Sequence, residues 1–194
     1  MSTLEELSLP RAVLVADTDG TDAGLAAAAL TAVLAATGTA VGSLRLSAGS
    51  APVVRQSVTA IGGDHDVLII DAAAGLLVPL DERGGTLADV GTALRYKGIS
   101  TGAVLVTTGG LAAPNVLALS AEALTRRELP VIGVVVVRAP HADGEVTSPA
   151  RLAAAAGAPL LAVLPGDLAS DDPSSLGSQA APAFSSDSWA TMTP

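Results

Sequence analysis

Residues 17–24, DTDGTDAG, crowd chemistry into one short stretch. Carboxylates at Asp17, Asp19 and Asp22 are interleaved with the hydroxyls of Thr18 and Thr21 and with Gly20 and Gly24. An apolar run, RAVLVA, precedes the stretch and an Ala-rich run, GLAAAALTAVLAA, follows it. A loop between a strand and a helix is where a phosphate-binding loop sits. That loop reads Gly-x-x-x-x-Gly-Lys-[Ser/Thr]: backbone N–H groups surround the phosphates, the lysine reaches the outer ones and the hydroxyl holds Mg²⁺. Here Gly24 is followed by Leu25 and Ala26, so neither the lysine nor the hydroxyl is present. The three carboxylates would repel a phosphate at close range. Asp19, Gly20, Thr21, Asp22, Ala23 and Gly24 are therefore read as the vestige of such a loop.

A second acid, Asp71, ends the apolar run HDVLIID. A strand-end acid beside a phosphate loop is a common Mg²⁺ ligand, and Asp17 with Asp71 forms a candidate pair for a divalent ion. The alternative is that both carboxylates bond backbone N–H groups of their own loops. His65 and His141 each lie in a polar turn and are expected in solvent. Asp81, Glu82 and Arg83 read as a charged surface tip. Gly109, Gly110 and Asn115 mark a turn at a strand end. No Gly-x-Ser-x-Gly elbow supports a serine nucleophile, and the absence of cysteine excludes thiolate chemistry and disulfides.

The elements that must position these residues alternate along the chain. Buried strands are expected at about 11–16, 40–46, 65–71, 102–108, 130–137 and 158–165. Helices are expected between them, with Gly38 as a C-terminal stop. Thr86 with Asp89 makes a capping box, and Ser148 with Pro149 an N-cap and first turn. Continuous apolar strands separated by helices imply a parallel sheet covered on both faces. The fold class is α/β, a three-layer α/β/α sandwich, with one domain over 1–168. Residues 169–194 form a Ser-, Pro- and Ala-rich tail. It carries the chain's one Phe and one Trp, and a large aromatic gains nothing in solvent. Phe184 and Trp189 are thus expected to dock on the body or on a partner.

With 49% hydrophobic and 15% charged residues, the 194-residue chain suits one sizeable core. A net charge of −9 argues against nucleic acid and anionic membrane as partners. No signal pattern or membrane span is read, so a cytoplasmic location is expected. Lys97 is the one lysine, which excludes any mechanism that needs two.

Three segments carry a resemblance. They are DVLIIDAAAGLLVPLDERGGTLADVGTAL, VLVTTGGLAAPNVLALSAEALTRRELPVIGVVV, and APLLAVLPGDL with the aromatic tail. Their order resembles dethiobiotin synthetase, an ATP-dependent carboxylase of the P-loop class that also holds MinD, ParA and cobyrinate-amidase-like proteins. The resemblance implies strand order 2-3-1-4-5-6, a homodimer or hetero-oligomer, and Asp71 at the position of the family's Mg²⁺-binding acid. Departures fall where the chemistry would be. TDGTDAGLA stands where the family has Gly-Thr-x-Thr-x-Val-Gly-Lys-Thr. LRLSAGS, with Arg45, stands for Lys-Pro-Val-x-x-Gly, and Val137 for an adenine-contacting Asn. The reading is a relative without catalytic residues, with no cofactor expected, acting as a binding or structural subunit. Two alternatives stay open: an ATP- and Mg-dependent dethiobiotin synthetase or related ATPase, and a nucleotide- or metabolite-sensing regulator.

Overall fold

A computed structural model describes residues 9–20, 23–49, 52–138, 147–165, 168 and 173–184. Among these residues six strands form one parallel sheet: β1 (Ala12–Asp17), β2 (Val41–Leu46), β3 (Val67–Ala72), β4 (Thr101–Thr107), β5 (Val131–Arg138) and β6 (Leu160–Pro165). Their order across the sheet is β2-β3-β1-β4-β5-β6, the order the resemblance implies. The described helices are α1 (Ala23–Ala36), α2 (Val53–Ala60), α3 (Leu87–Tyr96), α4 (Ala113–Thr125), α5 (Pro149–Ala156) and α6 (Pro173–Ala180).

The period-2 alternation of β1 divides the core. Ala12, Leu14 and Ala16 face a cluster with Val53 of α2, Leu87 and Leu94 of α3, Leu117 of α4 and Leu152 of α5. Val13 and Val15 face the opposite layer, built from α1, Leu176, Ala180 and Phe184. Both faces of the central strands are dry, so their sequences are apolar throughout.

Helix α1 is apolar all round because it is covered on two sides, by the sheet and by α6. A Cβ on Gly177 would stand 3.1 Å from the Ala32 carbonyl oxygen, so the missing side chain lets the two helices touch. Residues 173–180, PSSLGSQA, are thus a packed helix hidden in a composition that reads as tail. Phe184 is 6% exposed within the same layer. Trp189 and His141 lie outside the described residues.

The local stops act largely as their residue types require. Thr86 and Asp89 form the reciprocal capping box, and Gly38 takes φ +89 just after α1. Ser148 occupies the N-cap of α5 without a side-chain cap bond. Arg127 Nη1 donates to the Ala123 carbonyl at 2.9 Å, satisfying an acceptor in the last turn of α4.

Candidate functional site

The strand C-termini meet at the mouth of the β1–α1 crossover. Asp17 ends β1, and its Oδ1 accepts from Asp19 N and Gly20 N, both at 3.0 Å. This is an Asx-type turn, and Gly20 completes it at φ +84. Thr18 is held to β4: both its N–H and its hydroxyl donate to the Val106 carbonyl, at 3.1 and 2.8 Å.

Asp19 reaches further along β4. Its Oδ2 accepts from Thr107 Oγ1 at 2.7 Å, Thr108 Oγ1 at 2.8 Å and Thr108 N at 3.0 Å. Thr107 is fully buried. Its oxygen also accepts from Gly109 N, which directs its own hydrogen towards Asp19. The carboxylate thus bridges the β1–α1 loop to the β4–α4 turn. Ala23 is buried at the start of α1. Thr21 and Asp22 lie outside the described residues, so the loop is seen from its two ends.

Asp71 is buried at 3% exposure. Arg45, its register partner on β2, places Nη1 3.4 Å from Asp71 Oδ2. A guanidinium cannot give up its charge near neutral pH, so a cation already stands beside this acid. On β1 the register partner of Asp71 is Val15, two residues before Asp17. The two candidate ligands therefore lie at the C-terminal ends of neighbouring strands. Among the described residues no group of three or more His, Asp and Glu side chains could hold a metal ion.

Lys97 is exposed at the C-cap of α3. Helix α3 runs back from the loop after β3 to the start of β4. The lone lysine therefore lies at the edge of the sheet opposite the loop.

Beside the loop, Asp17, Thr18, Gly75, Leu77, Val78 and Leu119 line an open, mostly apolar cleft of about 310 Å³. It adjoins a second hollow edged by Glu122, Arg126 and Arg127. Leu77, Val78 and Leu119 are each about half exposed, at 48%, 47% and 57%. The sequence reading missed this face, although LLVP and the α4 leucines were its signal.

Two surface expectations are corrected. Asp81 is not a free tip: its carboxylate accepts from Val53 N, Arg83 N and Gly85 N, each at 2.9 Å. It caps α2 from a distant loop, and these bonds, led by Gly85 and then Val53, hold its pKa below the usual carboxylate value. His65 is not a solvated turn residue. Its ring packs against Gly42 and Gly63, and Nε2 is buried with no hydrogen-bond partner among the described residues.

The AAA_26 family model, an AAA domain, matches residues 44–174. The "ATP-dependent dethiobiotin synthetase BioD" of Saccharopolyspora erythraea is 40% identical over 136 residues, 67% of this chain and 58% of that protein. The protein of the same name from Streptomyces coelicolor is 35% identical over 139 residues, 69% of this chain and 56% of its own length. The chain belongs to the dethiobiotin synthetase family. It spans rather more than half the length of these relatives.

Among solved structures, the MinD cell division ATPase of Pyrococcus furiosus superposes with a TM-score of 0.62 at 17% identity, covering 95% of this chain and 97% of its own. MinD of Pyrococcus horikoshii, complexed with Mg-ADP, gives 0.59 at 15%, covering 94% and 93%. At such identities the likeness establishes the fold, which is P-loop NTPase-like. The AAA_26 match begins at residue 44, beyond the loop of Asp17–Asp19. Among the described residues no helix is long and apolar enough to cross a membrane.

Proposed function

We propose that this family member does not hold a triphosphate in its first loop and works as a binding subunit. The observation that carries the reading is the Asp19 carboxylate, seated on Thr107 and Thr108 where the loop meets β4. Negative charge occupies the crossover mouth, and the one lysine is at the far edge of the sheet. An ammonium or guanidinium on a transferring phosphoryl group contributes several kcal/mol to such chemistry. On this reading no cofactor is needed, and Arg45 takes the place of a metal beside Asp71.

The half-exposed leucine face supports the subunit role. Apolar surface bordered by charge is the composition of an interface core and rim. Glu122 and Arg126 pair with each other along α4, so the rim of this face is charge-balanced and two copies can approach across a two-fold axis without like-charge repulsion. We assign this face to a second copy of the chain. A different partner protein is the other outcome of its test.

A second reading is favoured by the relatives at 40% and 35% identity, both named ATP-dependent dethiobiotin synthetases. In that case the chain binds Mg-ATP and forms dethiobiotin, with Asp17 and Asp71 as the acids nearest the metal. Isothermal titration with Mg-ATP decides between the two. No heat beyond dilution supports the binding-subunit reading. Micromolar binding lost in Asp71→Asn supports the enzyme and overturns it. A rise in melting temperature with a nucleotide or a biotin precursor, without turnover, marks a regulator instead.

A further inference from the structure

We propose that the β4–α4 turn is a carboxylate-binding cradle, that Asp19 fills it from within, and that a small free carboxylate takes its place once the Asp19 side chain is removed. Three donors from two adjacent residues converge on one oxygen of Asp19. They are Thr107 Oγ1, Thr108 Oγ1 and Thr108 N, at 2.7, 2.8 and 3.0 Å. Thr108 N also lies 3.2 Å from Oδ1, so one N–H spans both oxygens of the planar group. Two donors come from side chains of β4 and the strand end, not from the loop that Asp19 belongs to. The cradle is therefore built by one element and occupied by another, 88 residues away in sequence.

The parts differ in rigidity in a way that suits exchange. Thr107 is fully buried, and its oxygen is fixed by Gly109 N at 3.2 Å. The next turn is held in place by Thr147, whose N–H donates to the Gly109 carbonyl and whose hydroxyl donates to the Gly110 carbonyl. Asp19 itself is exposed. The donors are thus anchored in the sheet and the acceptor sits at the solvent boundary. Hydrogen bonds to a charged acceptor strengthen as water is withdrawn from them, and of the three donors Thr107 Oγ1 belongs to the fully buried residue, so its contact carries most of the attraction.

A tethered carboxylate competes at an effective concentration of about millimolar or more. A free carboxylate must exceed that to displace Asp19, so the intact protein resists exchange and a protein lacking the Asp19 side chain does not. Asp19→Gly removes the carboxylate but keeps the N–H that residue 19 donates to Asp17, and glycine is at ease in a turn. The cradle is left vacant in a loop that retains its hydrogen-bonded shape. Asp17 remains nearby, and its Oδ1 is turned to the backbone of residues 19 and 20.

This inference rests on the proposed inability of the loop to take a triphosphate, and its test is separate. Thermal unfolding of the full chain is measured in sodium formate against sodium chloride of equal ionic strength. The expected result is a formate-specific rise of about 2–4 °C for Asp19→Gly, none for the wild type, and none for Asp19→Gly combined with Thr107→Val. Asp19→Ser carries the same comparison where the glycine variant does not fold. An equal response in wild type and variant, or a response that survives Thr107→Val, overturns the proposal. A larger rise with phosphate than with formate overturns its carboxylate assignment. Mg-ATP binding by the wild type would refute the binding-subunit reading and leave the formate result standing.

Discussion

Arg45 Nη1 lies 3.4 Å from Asp71 Oδ2, and the two residues face each other in register across β2 and β3. One partner is exposed and the other is not: the arginine side chain is 53% accessible, the aspartate 4%. The energetic cost of separating them falls on the aspartate, whose buried charge would lose its counter-ion. Breaking a fully buried pair costs about 3–5 kcal/mol, whereas an exposed pair contributes about 0–1 kcal/mol. Arg45→Met is therefore expected to lose about 1–2 kcal/mol in urea unfolding, between those limits. The double variant with Asp71→Asn should recover part of that loss, because the buried charge that Arg45 balances is gone.

Asp81 ties the β3–α3 loop to the start of α2 through Val53 N. Its folded-state pKa is lowered, first by the Gly85 N–H and then by the Val53 N–H. A carboxylate with a depressed folded pKa stabilises fully above its unfolded value, about 3.9. That contribution is lost as pH falls through the lower, folded value. Asp81→Asn is expected to melt below the wild type at neutral pH. The gap should close as the buffer is taken below the ordinary carboxylate range. Melting temperatures of the two proteins across acid pH check both the sign and the window.

Phe184 spends its ring inside the chain, at 6% exposure in the layer with α1 and α6. Removing a buried phenylalanine costs about 3–5 kcal/mol. Phe184→Ala should lower stability by that order at protein concentrations where no assembly forms. A full-strength loss in the isolated chain makes Phe184 an internal anchor. A loss that appears only with a partner bound would return it to the partner role expected from sequence.

The sheet was legible because buried parallel strands leave a direct trace: apolar runs such as VLII and VVVV, spaced by helix-length segments. Thr86 and Asp89 were legible for a similar reason, since a capping box is closed over four consecutive positions. The Asp19 contact was not. Its donors, Thr107 and Thr108, lie on a strand that only the fold brings beside β1, and nothing local to TDGTDAG names them. Asp81 was misread for the same cause, as its principal partners include an N–H 28 residues away. His65 looked solvated because DHD is polar. The two glycines that open room for its ring, Gly42 and Gly63, come from β2 and from the turn after α2. Composition hid α6 as well, because a helix of serine, glycine and alanine is chosen by what it must pack against, here Ala32.

The leucine face between the β3–α3 loop and α4 offers the last test. Leu77 and Leu119 are 48% and 57% exposed, so charging them costs the folded chain little; surface substitutions of this kind fall within about 0.5 kcal/mol. In a two-fold contact each substitution is repeated across the axis, and two carboxylates would be buried together in the apolar centre of the interface. Leu119→Glu is therefore expected to leave the melting temperature of the isolated chain near that of the wild type. The same change should shift the mass measured by light scattering from dimer to monomer. The effect should be matched by Leu77→Asp and not by a charge placed on the opposite layer, such as Thr31→Glu on α1. A wild type that is monomeric at every concentration would remove the second copy as occupant of this face and leave it to a different protein.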